Sequence, residues 1–245
     1  MADPRHLRNA PITEMLFDVR LAEPTELTSD HFSAIRQTLT ENYAKFEEKQ
    51  QVQGTIKVEG GRLVADSEPL GPKALFVKSA DDLTVAQFRS DGFTLNRLRP
   101  YTSWEELFPE ALRLWRLYGE VTGKTGAARI ALRYINHIEL PLQQGEDFGL
   151  YLAMPPNVPD QLPQTVSAFN MQFTTFDESQ EINAIVTQRL NPESLTMLLD
   201  IDVSKRSAPA VHEEAEIRDI FTVLHDFKNR VFFNLLTERC LQLFQ

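Results

Sequence analysis

Apolar and polar residues alternate with period two from Thr13 to Leu21, where Met15, Phe17, Val19 and Leu21 share one face against Glu14, Leu16, Asp18 and Arg20. This predicts a half-buried strand opening the fold. From Thr28 the period lengthens to 3.6 residues: Phe32, Ile35, Leu39, Tyr43 and Phe46 form one stripe behind a Thr/Ser/Asp cap, predicting an amphipathic helix over 29–49. Strand-like segments follow at 51–58, 73–79 and 83–98, punctuated by Gly60-Gly61, Pro69, Gly71-Pro72 and Asp81-Asp82. Ser103, with Glu106 three residues on, has the capping-box spacing that starts a helix running to about Gly123.

The same order then recurs. Residues 129–140 form a clear strand, with Ile130, Leu132, Tyr134, Ile138 and Leu140 on one face. A Pro-rich segment around 146–164 stands where the first half has its helix, strand candidates lie at 167–176, 181–190 and 195–203, and a helix over 213–244 carries the stripe Ile217, Phe221, Leu224, Phe227, Val231 and Leu235. Strands and helices come in blocks rather than in strict alternation, which excludes a doubly wound parallel fold. The pattern predicts an α+β protein of two pseudo-duplicated strand–helix–strands–helix halves, 1–124 and 125–245, either separate or fused into one continuous domain, with antiparallel sheets backed by long helices. Folds of this plan include the TATA-binding-protein-like duplication and tandem small-molecule-binding regulator modules, an analogy of architecture and not of function.

Composition narrows the setting. Hydrophobic residues make up 42% of the 245 positions and charged ones 24%, ordinary globular usage. A formal net charge of −10 disfavours nucleic acid and anionic membrane surfaces as partners. No stretch approaches the roughly 18 apolar residues of a membrane helix, and the N-terminus lacks a signal-peptide core, so a cytoplasmic protein with no membrane association is expected. The single cysteine, Cys240, excludes an internal disulfide and reads as a small core residue on an apolar helix face.

Motifs for chemistry are scarce. Gly123-Lys124-Thr125 resembles the end of a phosphate loop, but Tyr118 stands where that loop needs glycine, and the triplet closes a helix instead of opening one. It reads as a glycine cap. No dinucleotide, hydrolase, zinc or EF-hand signature occurs, so no cofactor and no metal are expected. Asp200 and Asp202 project from one face of their strand, and Asp18, Arg20, Arg97, Arg99, Arg129, Arg133 and His137 lie on others. If these faces converge they form either cross-strand ion pairs or a site for a small anionic ligand, with Arg20, Arg97, Arg133, Asp200 and Asp202 as the candidate contacts. Asn136 sits on an apolar strand face and must bond to backbone or to a ligand. His225, beside Asp226, is a structural histidine or a general base. The aromatics and arginines of 92–120 serve core packing or protein contact ahead of base stacking.

Several segments in order, NAPITEMLFDVR, GFTLNRLRPYTSWEELFPEALRLW, RIALRYINHIELP, LLDIDV and LHDFKNRVFFNLLTE, resemble a family of uncharacterised, sporadically distributed bacterial proteins over Asn9 to Glu238. That resemblance implies a soluble bacterial protein in an accessory setting such as a toxin–antitoxin or defence system, and brings no catalytic residues with it. The absence of a catalytic signature favours a non-enzymatic protein-interaction module. A final helix of about 30 residues would span about 45 Å, and its Phe232, Phe233 and Leu236 lie off the main stripe, facing either a partner protein, a second copy in a homodimer, or the chain's own other half. The alternative is a sensor or enzyme holding the anionic ligand on the sheet face.

Overall fold

The computed structural model describes residues 7–59, 62–142 and 146–245, with the backbone alone described over 51–72. The elements run β1 (Ile12–Leu21), α1 (Ser29–Leu39), β2 (Lys45–Glu59), β3 (Arg62–Lys78), β4 (Thr84–Arg89), β5 (Gly92–Leu98), α2 (Trp104–Thr122), β6 (Ala127–Glu139), β7 (Asn170–Asp177), β8 (Ile182–Leu190), β9 (Thr196–Val211), α3 (Glu214–Leu235) and α4 (Glu238–Leu241). Among the described residues nine strands make one open sheet in the order β2-β3-β4-β5-β1-β6-β9-β8-β7, every neighbouring pair antiparallel. The first strands of the two sequence halves, β1 and β6, meet at its centre and make the sheet continuous.

The alternation read in β1 is realised: Met15, Phe17, Val19 and Leu21 are buried. The helices pack on this apolar face. Phe17 touches Trp104 and Phe108 of α2 and Phe221 of α3, and Tyr118 of α2 stacks on Phe88 of β4. The opposite face carries the polar positions. One core cluster runs through both halves, from Leu39 on α1 to Leu241 on α4.

Four expectations change. The helix at 29–49 ends at Leu39, although its start behaves as read: the Thr28 side chain accepts from the His31 N–H, and His31 Nδ1 accepts from the Thr28 N–H. Beyond it, Asn42 and Tyr43 N–H both return to the Leu39 carbonyl, and the Ala44 N–H joins the Lys78 carbonyl on β3, so Phe46 belongs to a strand. Its helical spacing from Leu39 is coincidence. Pro69 and Gly71-Pro72 do not break β3; its backbone stays extended, with register shifts against β2 nearby, while the expected Gly60-Gly61 turn lies outside the described residues. The segment 83–98 is two strands joined by a turn. Gly92 there has φ +144°, and a Cβ would come within 2.0 Å of the Val19 carbonyl oxygen of β1, so only glycine fits. Finally, the last helix stops at Leu235, after 22 residues, because Leu236 turns extended and bridges Leu152, with Ala153 N–H on the Leu235 carbonyl and Thr237 N–H on that of Tyr151.

The remaining elements follow the sequence closely. Ser103 caps α2 by accepting from the Glu106 N–H, and Gly123 ends it in the left-handed region at φ +69°, the glycine cap expected for the Gly-Lys-Thr triplet. Strand β9 runs eight residues past Val203. The Pro-rich stretch holds only a short 3-10 turn at Phe148–Leu150 where the first half has α1. No helix among the described residues is long and apolar enough to cross a membrane.

Candidate functional site

Register decides which of the candidate charges meet. Across β5, β1, β6 and β9, Asp18 faces Thr94 and Ala131, Arg20 faces Arg129, Arg133 faces Asp202, and Ile135 faces Asp200. Asp18 becomes the hub: its carboxylate accepts from Thr94 Oγ1 at 2.7 Å, Arg89 Nη2 at 3.0 Å, Arg20 Nε at 3.1 Å and Arg129 Nη1 at 3.2 Å. Arg129 reaches on to Asp202 at 3.3 Å, Arg133 grips Asp200 with two hydrogen bonds of 2.9 and 2.5 Å, and Arg20 and Arg89 both pair with Asp91. Four guanidiniums thus meet four carboxylates.

Burial opposes the charge on Asp18, yet the Thr94 hydrogen bond and the Arg89 and Arg20 charges outweigh it and hold its carboxyl below the ordinary value. At Asp202 burial wins: its carboxyl is pushed up, Arg129 and Arg133 only partly offsetting burial and the repulsion of Asp200 and Asp18. A concavity of about 530 Å³ lies over this network. Its arginines are already neutralised by built-in aspartates, so an incoming anion has no free cation to meet. This is a cross-strand ion-pair lattice.

Of the anion-binding candidates, Arg20, Arg133, Asp200 and Asp202 lie on this face and Arg97 does not. Arg97 pairs in register with Met15 and Thr84, which places it on the helix-covered side, where it donates to Thr84 Oγ1 at 2.9 Å and its Nε is buried without a partner. Phe232, Phe233 and Leu236 are 7, 8 and 4% exposed and belong to the chain's own core, so they form no outward apolar face. Cys240 is fully buried, and burial pushes its thiol up to about 12.

The richer chemistry lies on the helix side. A cavity of about 310 Å³ opens between the start of β1, the centre of β6, the start of α2 and the second half of α3. Its walls are apolar and aromatic, with Ile12, Trp104, Phe232 and Phe233 among them. Its polar groups include Tyr134 and Asn136 on β6, Tyr101 before α2, and His225, Lys228 and Asn229 on one face of α3 at helical spacing, with Arg8, Thr102, Ser103 and Glu105 also in the lining.

Lys228 is the single charged side chain that is buried among the described residues, at 7% exposure. Its Nζ donates to Asn229 Oδ1 at 2.6 Å and sits 3.8 Å above the centre of the Tyr134 ring, and no described carboxylate lies within ion-pair distance. Burial alone pulls its pKa down to about 7. The Tyr134 hydroxyl, buried at the same wall, makes no well-formed hydrogen bond; its nearest phenol is that of Tyr101, which interacts with it across rings set edge-on with centres 6.0 Å apart. Burial pushes the Tyr134 phenol well up and that of Tyr101 to about 12, so both are neutral donors at physiological pH.

The two residues flagged for ambiguity resolve within this cavity. Asn136 bonds to backbone, its Nδ2 donating to the Leu199 carbonyl at 3.0 Å across β9, and it also lines the cavity. His225 stacks on Trp104 with ring centres 4.2 Å apart, and burial, helped by the Lys228 charge, pulls its pKa down to about 3. It is a neutral wall element, and its neighbour Asp226 is 76% exposed and 3.8 Å away. Lys228 is inconspicuous in the sequence because the apolar stripe through Phe227 and Val231 accounts for the helix without it. Drawn from Leu224 through 228 to Phe232, the stripe places a lysine among apolar residues.

No described group of three or more His, Cys, Asp or Glu side chains is placed to hold a metal ion. Compared with known proteins, the chain matches no family model and no curated protein.

Proposed function

We propose that this chain is a non-enzymatic binding module, a sensor or carrier that takes a small molecule into the Lys228 cavity. The observation that supports it is a buried ammonium, with no counter-charge among the described residues, facing an open volume. A charged group removed from water is costly unless paired, and no carboxylate among the described residues reaches it, whereas every arginine in the opposite-face lattice has one. A ligand with a negative or strongly accepting group completes the site. The anionic-ligand reading of the sequence is thereby kept and moved from the sheet face to the helix face. A volume of about 310 Å³ suits a small ligand, since pockets for drug-sized molecules run from about 300 to 1,000 Å³.

The strand order supports a duplicated origin for this architecture. Outward from the centre it reads β1, β5, β4, β3, β2 on one side and β6, β9, β8, β7 on the other, each half closing with a helix, α2 or α3. We read 1–124 and 125–245 as related halves fused through β1 and β6, with one strand fewer and a 3-10 turn for a helix in the second.

Native mass spectrometry of the protein purified from its own host tests the reading. A retained mass of a few hundred daltons that disappears in Lys228→Gln is the expected result; an empty chain that stays empty in the presence of host extract overturns it. The same spectrum tests a second reading, a protein partner or second copy, which one observation favours. The edge strand β7 has no lysine or proline to guard it, and its Phe176 is 58% exposed.

A further inference from the structure

We infer that the ligand of the Lys228 cavity is a planar aromatic monocarboxylate, its carboxylate held by Lys228 Nζ and the Tyr134 hydroxyl and its ring between the aromatic walls. This rests on the binding reading above and adds the chemical class. The argument begins with charge. Among the described residues the cavity lining contains one buried cation, Lys228; His225 is neutral, and Arg8 and Glu105 stand exposed at the rim, one of each sign. One ammonium balances one negative charge, so a dianionic phosphate monoester would stay half uncompensated, whereas a carboxylate would not.

Donors come next. Lys228 uses one proton on Asn229 Oδ1 and has others to give. The Tyr134 hydroxyl stands beside that of Tyr101 without a well-formed hydrogen bond, which leaves its proton to give. Two donors at one wall match the two oxygens of a carboxylate. Asn136 does not compete, because its amide protons are engaged by the Leu199 and Tyr134 carbonyls. The body of the ligand is set by the remaining walls. Trp104 lies parallel to His225 at 17°, and Phe232 and Phe233 stand edge to face, so the cavity presents flat aromatic surfaces against which a ring gains more than a flexible chain does.

Benzoate and indole-3-acetate, with their uncharged amides benzamide and indole-3-acetamide, are the probes, titrated calorimetrically into the full-length protein at pH 7.5 in two buffers of different ionisation enthalpy. At least one acid should bind ten-fold or more tighter than its amide, and its binding should take up protons as Lys228 becomes fully charged. Lys228→Gln should abolish both the preference and the proton uptake, and Tyr134→Phe should weaken the acid several-fold. Because Lys228→Gln relieves a buried charge, it should fold at least as well as the parent, which its melting temperature checks. Equal binding of acid and amide, or acid binding without proton uptake, overturns the carboxylate assignment and leaves the cavity reading standing. So does failure of all four probes against a protein that leaves its host with a ligand bound. Failure of all four against a protein that leaves its host empty overturns both.

Discussion

Replacing Lys228 with methionine, which keeps the unbranched chain and removes the ammonium, should make the protein more stable at neutral pH and flatten part of its pH profile. A lysine whose folded pKa lies below its unfolded value holds fewer protons folded than unfolded throughout the interval between them, so stability rises with pH there. The folded pKa is about 7 against an ordinary 10.5. The stability is therefore fully present above the unfolded value and lost as pH falls to the folded one. Linkage over that interval gives a cost of about 4 kcal/mol at pH 7 and about 2.7 kcal/mol at pH 8.5. Wild type should gain about 1.5 kcal/mol between these two pH values, about 3–6 °C in melting temperature for a chain of this size. Lys228→Met should lack this gain. At pH 7 it should be stabilised by about 1–3 kcal/mol, less than the full cost because the contact over Tyr134 and the bond to Asn229 are lost.

Urea unfolding of both proteins at pH 7 and 8.5 measures the four free energies, and the double difference cancels every group the two share. Cys240 and the buried tyrosines, whose pKa values burial raises, act only at higher pH and with the opposite sign. A double difference near zero would refute the reasoning. So would a variant destabilised by more than about 2 kcal/mol at both pH values, because Lys228 would then have a counter-charge.

His225 gives the acidic counterpart. Its pKa, pulled down to about 3 by burial and the Lys228 charge, means stability is present above 6.5 and lost as pH falls towards 3, and His225→Phe, which keeps a ring on Trp104, should remove about 2 kcal/mol of the loss at pH 5. A chevron or urea series at pH 5 and 7 reads it. Asp18→Asn leaves Arg20, Arg89 and Arg129 facing a neutral group in a partly buried site and should cost about 3 kcal/mol, whereas Arg133→Ala, in a pair whose arginine is 44% exposed, should cost under about 1 kcal/mol; a reversed order of urea midpoints would show that the lattice is not centred on Asp18. Gly92→Ala should cost at least about 2 kcal/mol, since its Cβ has no space beside Val19; a near-neutral thermal shift would count against that close approach.

How much was legible depended on whether the information was local. The first strand, the Thr28 and Ser103 caps and the Gly123 stop are contained in a few neighbouring residues, and all stand where the pattern put them. The hairpin inside 83–98 was legible too, through a change of parity. Ala86 and Phe88 are buried at even positions, whereas Phe93 and Leu95 are buried at odd ones. A single strand cannot do that; a turn between them must shift the count. Once the shift is seen, Arg97 falls on the side of Phe93 and Leu95, away from Arg20 and Arg133. The end of α1 was not legible, because Leu39, Tyr43 and Phe46 satisfy a helical stripe and the strand that captures Phe46 is decided by pairing with β3. Nor was the hub role of Asp18, since its partners Arg89, Thr94 and Arg129 lie 71, 76 and 111 residues away.

Lys228 combines both cases. That a lysine occupies the stripe from Leu224 to Phe232 is written in seven residues of spacing, but its meaning comes from what faces it. On an exposed helix it would snorkel to water; here β6 closes over it, and Tyr134 meets it with a ring face. The opposite face of the same sheet shows that this fold can match buried charge, since Asp18 gathers four donors within hydrogen-bonding distance. At the cavity wall no described carboxylate stands beside the Lys228 ammonium, and a bound acceptor would serve it and the Tyr134 hydroxyl at once.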